Sequence, residues 1–193
     1  LQIQDLSYLH QNKEVLFCNI SLAIHAQDKH ALIGNNGAGK STLLKIINGD
    51  LPYTAGTIIG HASTLLIPQL FDEYNRMSIA EAIGIAPQLM ALNNIQQGIA
   101  TESDFDIIGD DWLIEDHYYQ SINNWGLANI KPSTPFNTLS GGQKTKIFLS
   151  AIQLRNPALI LMDEPTNHLD SKGRTQLYEF IQHTNKTLLI VSH

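Results

Sequence analysis

Gly34-Asn35-Asn36-Gly37-Ala38-Gly39-Lys40-Ser41 constrains this chain more than any other stretch. It fits the pattern G-x-x-x-x-G-K-[ST]. Before it, Ala31 to Ile33 reads as a strand. After it, Ser41 to Asn48 is apolar at Leu43, Leu44, Ile46 and Ile47, a helical spacing closed by Gly49. A strand, a glycine-rich turn and a helix in this order let successive backbone N–H groups turn inward around a phosphate. The helix N-terminus adds partial positive charge. Lys40 offers a compact cation to the β- and γ-phosphates, and the Ser41 hydroxyl is placed to ligate Mg²⁺. The candidate binding set is Gly34, Asn35, Asn36, Gly37, Ala38, Gly39, Lys40, Ser41 and Thr42.

Two later stretches extend this chemistry. Ala158 to Met162 is an apolar run of strand length that delivers Asp163 and Glu164 at its C-terminal end. In an open α/β sheet that edge is where ligands bind. Asp163 is the expected acid of the Mg²⁺ shell, and Glu164 the group that orients or deprotonates an attacking water. Two acids after a strand more often cap a helix, but a phosphate loop in the same chain reverses that preference. Leu139-Ser140-Gly141-Gly142-Gln143 opens a helix expected to run to Leu154. Ser140 is a good N-cap, and the paired glycines leave backbone donors exposed, so Ser140, Gly141, Gly142 and Gln143 form a second candidate anion site.

The rest of the chain alternates in type. Phe17 to Ile24, Gly56 to Gly60, Ser63 to Ile67 and Thr187 to Val191 read as strands, and Ser78 to about Gly126 as a helical subdomain. The continuous apolar runs suit strands buried on both faces of a parallel sheet. Lys and Arg number 12 against 18 Asp and Glu, which argues against direct DNA binding. Ten of the acids lie between Asp72 and Asp116 with one base, Arg76, most simply a solvated face. No apolar run approaches the roughly 20 residues that span a bilayer. Leu1 to His10 shows no secretory signal, and the single Cys18 fits a reducing compartment, so a cytoplasmic location is expected. The chain starts without Met and stops after an apolar run, which reads as a piece of something longer.

Together these elements resemble the ABC ATPases. The phosphate loop (Walker A), Gln69 after a strand, Leu139 to Gln143 (the signature), Asp163-Glu164 (Walker B) and Ser192-His193 after a terminal strand occur in that family's order. The resemblance implies an α/β fold, a P-loop NTPase (RecA-like) core with a β subdomain and an inserted α-helical subdomain. On that basis the core takes residues of about 1–72 and 147–193, and the helical subdomain about 73–146. It also implies ATP and Mg²⁺ as cofactors, Ser41, Gln69 and Asp163 around the metal, and Glu164, Gln69 and His193 as catalytic residues. The aromatic that the family stacks on adenine is replaced here: His10 holds that place, with Tyr8 the nearest true aromatic. Assembly follows as well, because the family closes the signature of one cassette over the nucleotide of another. A second cassette, in the same chain or a dimer, is the expected partner, and activity is expected only with it.

Asp163-Glu164-Pro165-Thr166-Asn167-His168-Leu169-Asp170 is similar to the ABC-F group, soluble proteins with two cassettes on one chain. Leu139 to Leu149 and Asp111-Trp112-Leu113-Ile114-Glu115 share that similarity. This implies an ATPase acting on ribosomes, as a translation factor or in ribosome protection against antibiotics, with the present residues as its first cassette. The alternative is the ATPase subunit of a membrane transporter. A non-hydrolysing clamp is disfavoured by the presence of both Glu164 and His193.

Overall fold

The computed structural model describes residues 1–10, 12–60 and 63–192. In chain order the elements are β1 (Gln2–Leu9), β2 (Val15–Ala23), β3 (Lys29–Leu32), α1 (Lys40–Asn48), β4 (Ala55–Ile59), β5 (Thr64–Ile67), α2 (Ile79–Ala82), α3 (Ala86–Gln96), α4 (Glu102–Ile108), α5 (Ile114–Asn124), α6 (Gly141–Arg155), β6 (Leu159–Asp163), α7 (Ser171–His183) and β7 (Thr187–Val191). The chain divides into two compact units. One comprises Leu1–Gln69, Pro157–Asn167 and Leu177–His193; the other comprises Leu70–Asn156 and His168–Gln176.

The first unit is built on two sheets. One is parallel, with strand order β3-β7-β6-β5. All five residues of β6 are buried, as the uninterrupted run Leu-Ile-Leu-Met requires of a strand covered on both faces. Because the strands run the same way, their C-terminal ends share one edge. Leu32 pairs with Val191, Val191 with Asp163, and Met162 with Ile67. Ile33, expected to finish its strand, lies beyond it and is 74% exposed. The buried face of α1 supplies Leu43, Leu44, Ile46 and Ile47 to a core shared with Leu66, Leu161, Leu189 and Val191.

The second sheet is antiparallel, in the order β2-β1-β4. Its ladder shifts register near Asp5 and Asn19, both in the left-handed region at φ 49° and 55°. Gly56 is required here, since a Cβ on it would lie 2.6 Å from the Asp5 carbonyl oxygen and the Leu6 Cα.

In the second unit, α2 to α5 fall within the expected helical stretch. Ser78 and Thr101 start α2 and α4 with reciprocal capping, to Glu81 and Asp104. Phe71, Tyr74, Phe136 and Phe148 form a ring cluster with centroids 4.9–5.9 Å apart. The helix opened by Gly141 continues to Arg155, so a boundary at 146–147 would cut it mid-helix; this unit extends instead to Asn156. Among the described residues no helix is long and apolar enough to cross a membrane.

Candidate functional site

Strand direction gathers the first site. The C-terminal edge of the parallel sheet opens into a cavity of about 500 Å³ lined by His10, Asn36, Gly37, Gly39, Lys40, Ser41, Thr42, Gln69, Asp163 and Glu164, with Leu16 and Val191. The loop residues arrive because they connect β3 to α1, Gln69 because it follows β5, and the two acids because β6 ends on them.

The loop's geometry comes from its glycines. Gly37 and Gly39 stand at φ 80° and 91°, where L side chains are strained. Gly39 also tolerates no side chain, because a Cβ would sit 2.8 Å from the Phe17 ring and 2.9 Å from Leu16 Cγ. As N-cap of α1, Gly39 has no side chain to offer the first-turn amides, and among the described residues none caps them. The residues that carry those donors, Lys40, Ser41 and Thr42, line the cavity, and a helix start without a cap is a ready place for an anion. Lys40 Nζ donates to the carbonyl oxygens of Gly34 at 2.7 Å and Asn35 at 3.0 Å. Gly34, Asn35 and Ala38 thus belong to the loop but shape it from outside the cavity lining.

Asp163 is 6% exposed, and its Oδ1 has no hydrogen-bond partner among the described residues. A buried carboxylate oxygen in that condition is costly unless a cation or donor completes it. It shares the cavity with the Ser41 hydroxyl and Gln69, an all-oxygen donor set that suits Mg²⁺. Glu164 is equally buried and takes φ 48°, a strained angle for a residue with a Cβ; its N–H donates to the Val191 carbonyl oxygen at 3.1 Å.

His10 lines the cavity, whereas Tyr8 does not; the two rings meet edge-on at 5.6 Å. Leu16 was not legible as a site residue. It is an ordinary strand leucine in sequence, and only the packing of β2 against Gly39 brings it to the cavity. His193 lies outside the described residues.

Ser140, Gly141, Gly142 and Gln143 lie in the second unit, at the start of α6. Ser140 Oγ accepts from the Gln143 N–H at 3.3 Å, and Gln143 Oε1 accepts from the Ser140 N–H at 2.9 Å. The Gly141 and Gly142 amides precede the first turn's hydrogen bonds and have no intrahelical acceptor. His168 packs behind them. A Cβ on Gly142 would lie 2.8 Å from the His168 carbonyl oxygen, and one on Gly141 3.2 Å from its ring. The two candidate anion sites thus fall at helix starts, one in each unit.

The comparisons with known proteins agree with this arrangement. A protein-family model described as "ABC transporter" matches residues 17–167. The whole chain is 30% identical over 200 residues to the energy-coupling factor transporter ATP-binding protein EcfA2 of Methanospirillum hungatei, spanning 49% of it. It is 27% identical over 200 residues to ABC transporter F family member 4 of Dictyostelium discoideum, spanning 15% of that protein. The chain thus spans half or less of these relatives' length. In fold it matches the dimeric structure of MJ0796, a bacterial ABC transporter cassette, with TM-score 0.70, 20% identity, and coverage of 100% of this chain and 87% of that one.

Proposed function

Because this chain belongs to the ABC transporter family, whose model it matches over residues 17–167, we propose that it is an ATP-hydrolysing cassette of the F branch that works in translation. The observation that carries the ATPase reading is the single cavity holding Lys40, Ser41, Gln69, Asp163 and Glu164. Lys40 and the amides of Gly37 to Thr42 bind the phosphates. Ser41, Gln69 and Asp163 would hold Mg²⁺, which would offset charge on the terminal phosphates. His10, with Leu16 beside it, takes the adenine face.

Glu164 accepts a proton from the attacking water. The water oxygen bonds to the γ-phosphorus as the bond to the β,γ-bridging oxygen breaks, leaving ADP and phosphate. Ser140 to Gln143 serve the other site of a pair: the N-terminus of α6 caps the γ-phosphate held by a second cassette. The dimeric MJ0796 cassette supports that assembly. Losing the γ-phosphate removes the shared anion, and the pair reopens.

Within the family, Thr166-Asn167-His168-Leu169-Asp170 and the likeness to an F family member support a ribosomal role, the present residues being one cassette of a longer two-cassette protein. A second reading, the ATPase subunit of a membrane transporter, is favoured by the 30% identity to EcfA2. Sedimentation of the full-length Glu164→Gln protein with ATP separates them. Recovery with ribosomes is the expected result. Recovery with a membrane fraction instead would give the transporter reading the place of the F-branch one.

A further inference from the structure

In the second unit, α4, α5 and the turn between them carry an uncommon combination. Four large apolar side chains within nine residues are exposed: Phe105 at 49%, Ile107 at 44%, Trp112 at 48% and Leu113 at 57%. The unit's interior does not need them, because Ile108, Ile114 and Tyr118 already point inward and are buried. The Phe105 and Trp112 rings stand 6.3 Å apart, so they form one surface, not isolated positions. Exposed apolar patches with a polar rim mark interaction sites.

The rim is of one sign. Glu102, Asp106, Asp110, Asp111, Glu115 and Asp116 surround the patch in sequence, and no Lys or Arg occurs between Arg76 and Lys131. Asp104 is spent internally, accepting from the Thr101 N–H and the Asn94 amide. Next to Trp112 in the chain, Asp110 and Asp111 join His117 and Gln120 in lining a cavity of about 430 Å³ closed by Gln153 and Leu154. The Asp111 carboxylate meets His117 Nδ1 at 2.8 Å, which turns that ring toward the same space.

We propose that this face docks a basic amphipathic segment of another protein. Apolar side chains of the segment cover Phe105, Trp112 and Leu113, and a Lys or Arg enters the cavity beside Asp110 and Asp111. Charge complementarity selects this occupant. A phosphate backbone or an anionic lipid surface would meet only carboxylates, and a neutral apolar helix would leave them desolvated without a counter-charge. A helix with apolar anchors at i, i+3, i+4 and i+7 and cations between them satisfies both halves of the face. The proposal holds whichever branch of the family the chain serves.

The test titrates the full chain with a synthetic Leu/Lys amphipathic helix of about five turns, ~18 residues, by calorimetry and tryptophan fluorescence. Trp125 is buried, so the fluorescence change reports Trp112. Binding is expected to weaken about tenfold in Trp112→Ala/Leu113→Ser and again in Asp110→Asn/Asp111→Asn, one tenfold step being ~1.4 kcal/mol. Thermal melts check that each variant folds; if the first does not, the carboxylate pair decides alone. Asp72→Asn/Glu73→Gln, which removes as much charge elsewhere in the unit, should leave binding unchanged. No binding by the peptide overturns the proposal. So does equal weakening by the Asp72/Glu73 variant, or equal binding of a Leu/Glu peptide or a short RNA.

Discussion

Lys40 Nζ sits 2.7 Å from the Gly34 carbonyl oxygen, so the cation that marks the phosphate loop also ties the loop's two ends together. On the proposed function, a triphosphate entering the cavity exchanges that bond for contacts with its own oxygens. Lys40→Ala removes both interactions at once. ATP affinity in calorimetry is expected to fall at least about 100-fold, ~2.7 kcal/mol. The melting temperature without nucleotide should move little, because the lost bond is exposed.

Glu164 combines burial with a left-handed backbone. Glu164→Gln keeps the shape and loses the proton acceptor, so turnover should fall by orders of magnitude while ATP binding persists. Turnover at the native rate would remove Glu164 from its role. The backbone angle has a separate signature. Glu164→Gly should melt higher than Glu164→Ala, by a difference of about 1 kcal/mol, since only glycine takes φ 48° without strain. An order reversed by calorimetric melting would mean that no strain is held there.

Gly142 poses two opposed effects. Alanine is the better helix former by about 1 kcal/mol, yet its Cβ would fall 2.8 Å from the backbone carbonyl of His168, which cannot swing aside like a side chain. Overpacking of this kind costs about 1–3 kcal/mol, so Gly142→Ala should destabilise the protein. A chemical-denaturation midpoint at or above the native one would show that the His168 turn yields easily.

Sequence and structure part company where contacts span the chain. The loop at Gly34 to Ser41 and the acids after β6 are legible because their chemistry is local: glycines set backbone angles, and a strand carries the next residues to a fixed edge of the sheet. β1 is not, because register shifts around Asp5 scramble the alternation that would announce it. α7 is hidden by a first turn of Ser171, Lys172, Gly173 and Arg174, which carries no apolar face. The pairing of Gly142 with His168 and the arrival of Leu16 at the cavity depend on packing between distant residues, for which one sequence has no period to read.

Acid should act on helix starts and turns in both units; in the first, Asp28 is held below the ordinary carboxylate range chiefly by the His25 N–H. Glu81 and Asp104 are held below the ordinary carboxylate range, in each case chiefly by the backbone N–H of the cap residue, Ser78 or Thr101. Asp170 is lowered chiefly by the Gly173 N–H, with Lys146 adding to it. A carboxylate with a depressed folded pKa contributes stability above its ordinary value, lost as pH falls from there through the folded value. Stability measured by urea titration should therefore be flat from neutral pH to the ordinary carboxylate range and decline below it. Glu81→Gln with Asp104→Asn, which removes the titrating groups themselves, should flatten part of that decline. An unchanged acid limb would assign the loss to other carboxylates.

The parallel sheet has a second edge, where Lys29, Thr64, Leu159 and Thr187 begin their strands. Every residue lining the nucleotide cavity lies in the other direction along those strands or on segments that come after them, His10 and Leu16 excepted. Asn185, exposed just before β7, is therefore a natural attachment point for a dye or an affinity handle. A reporter fixed there would ride on the same rigid strand that ends beside Asp163 while leaving the chemistry untouched.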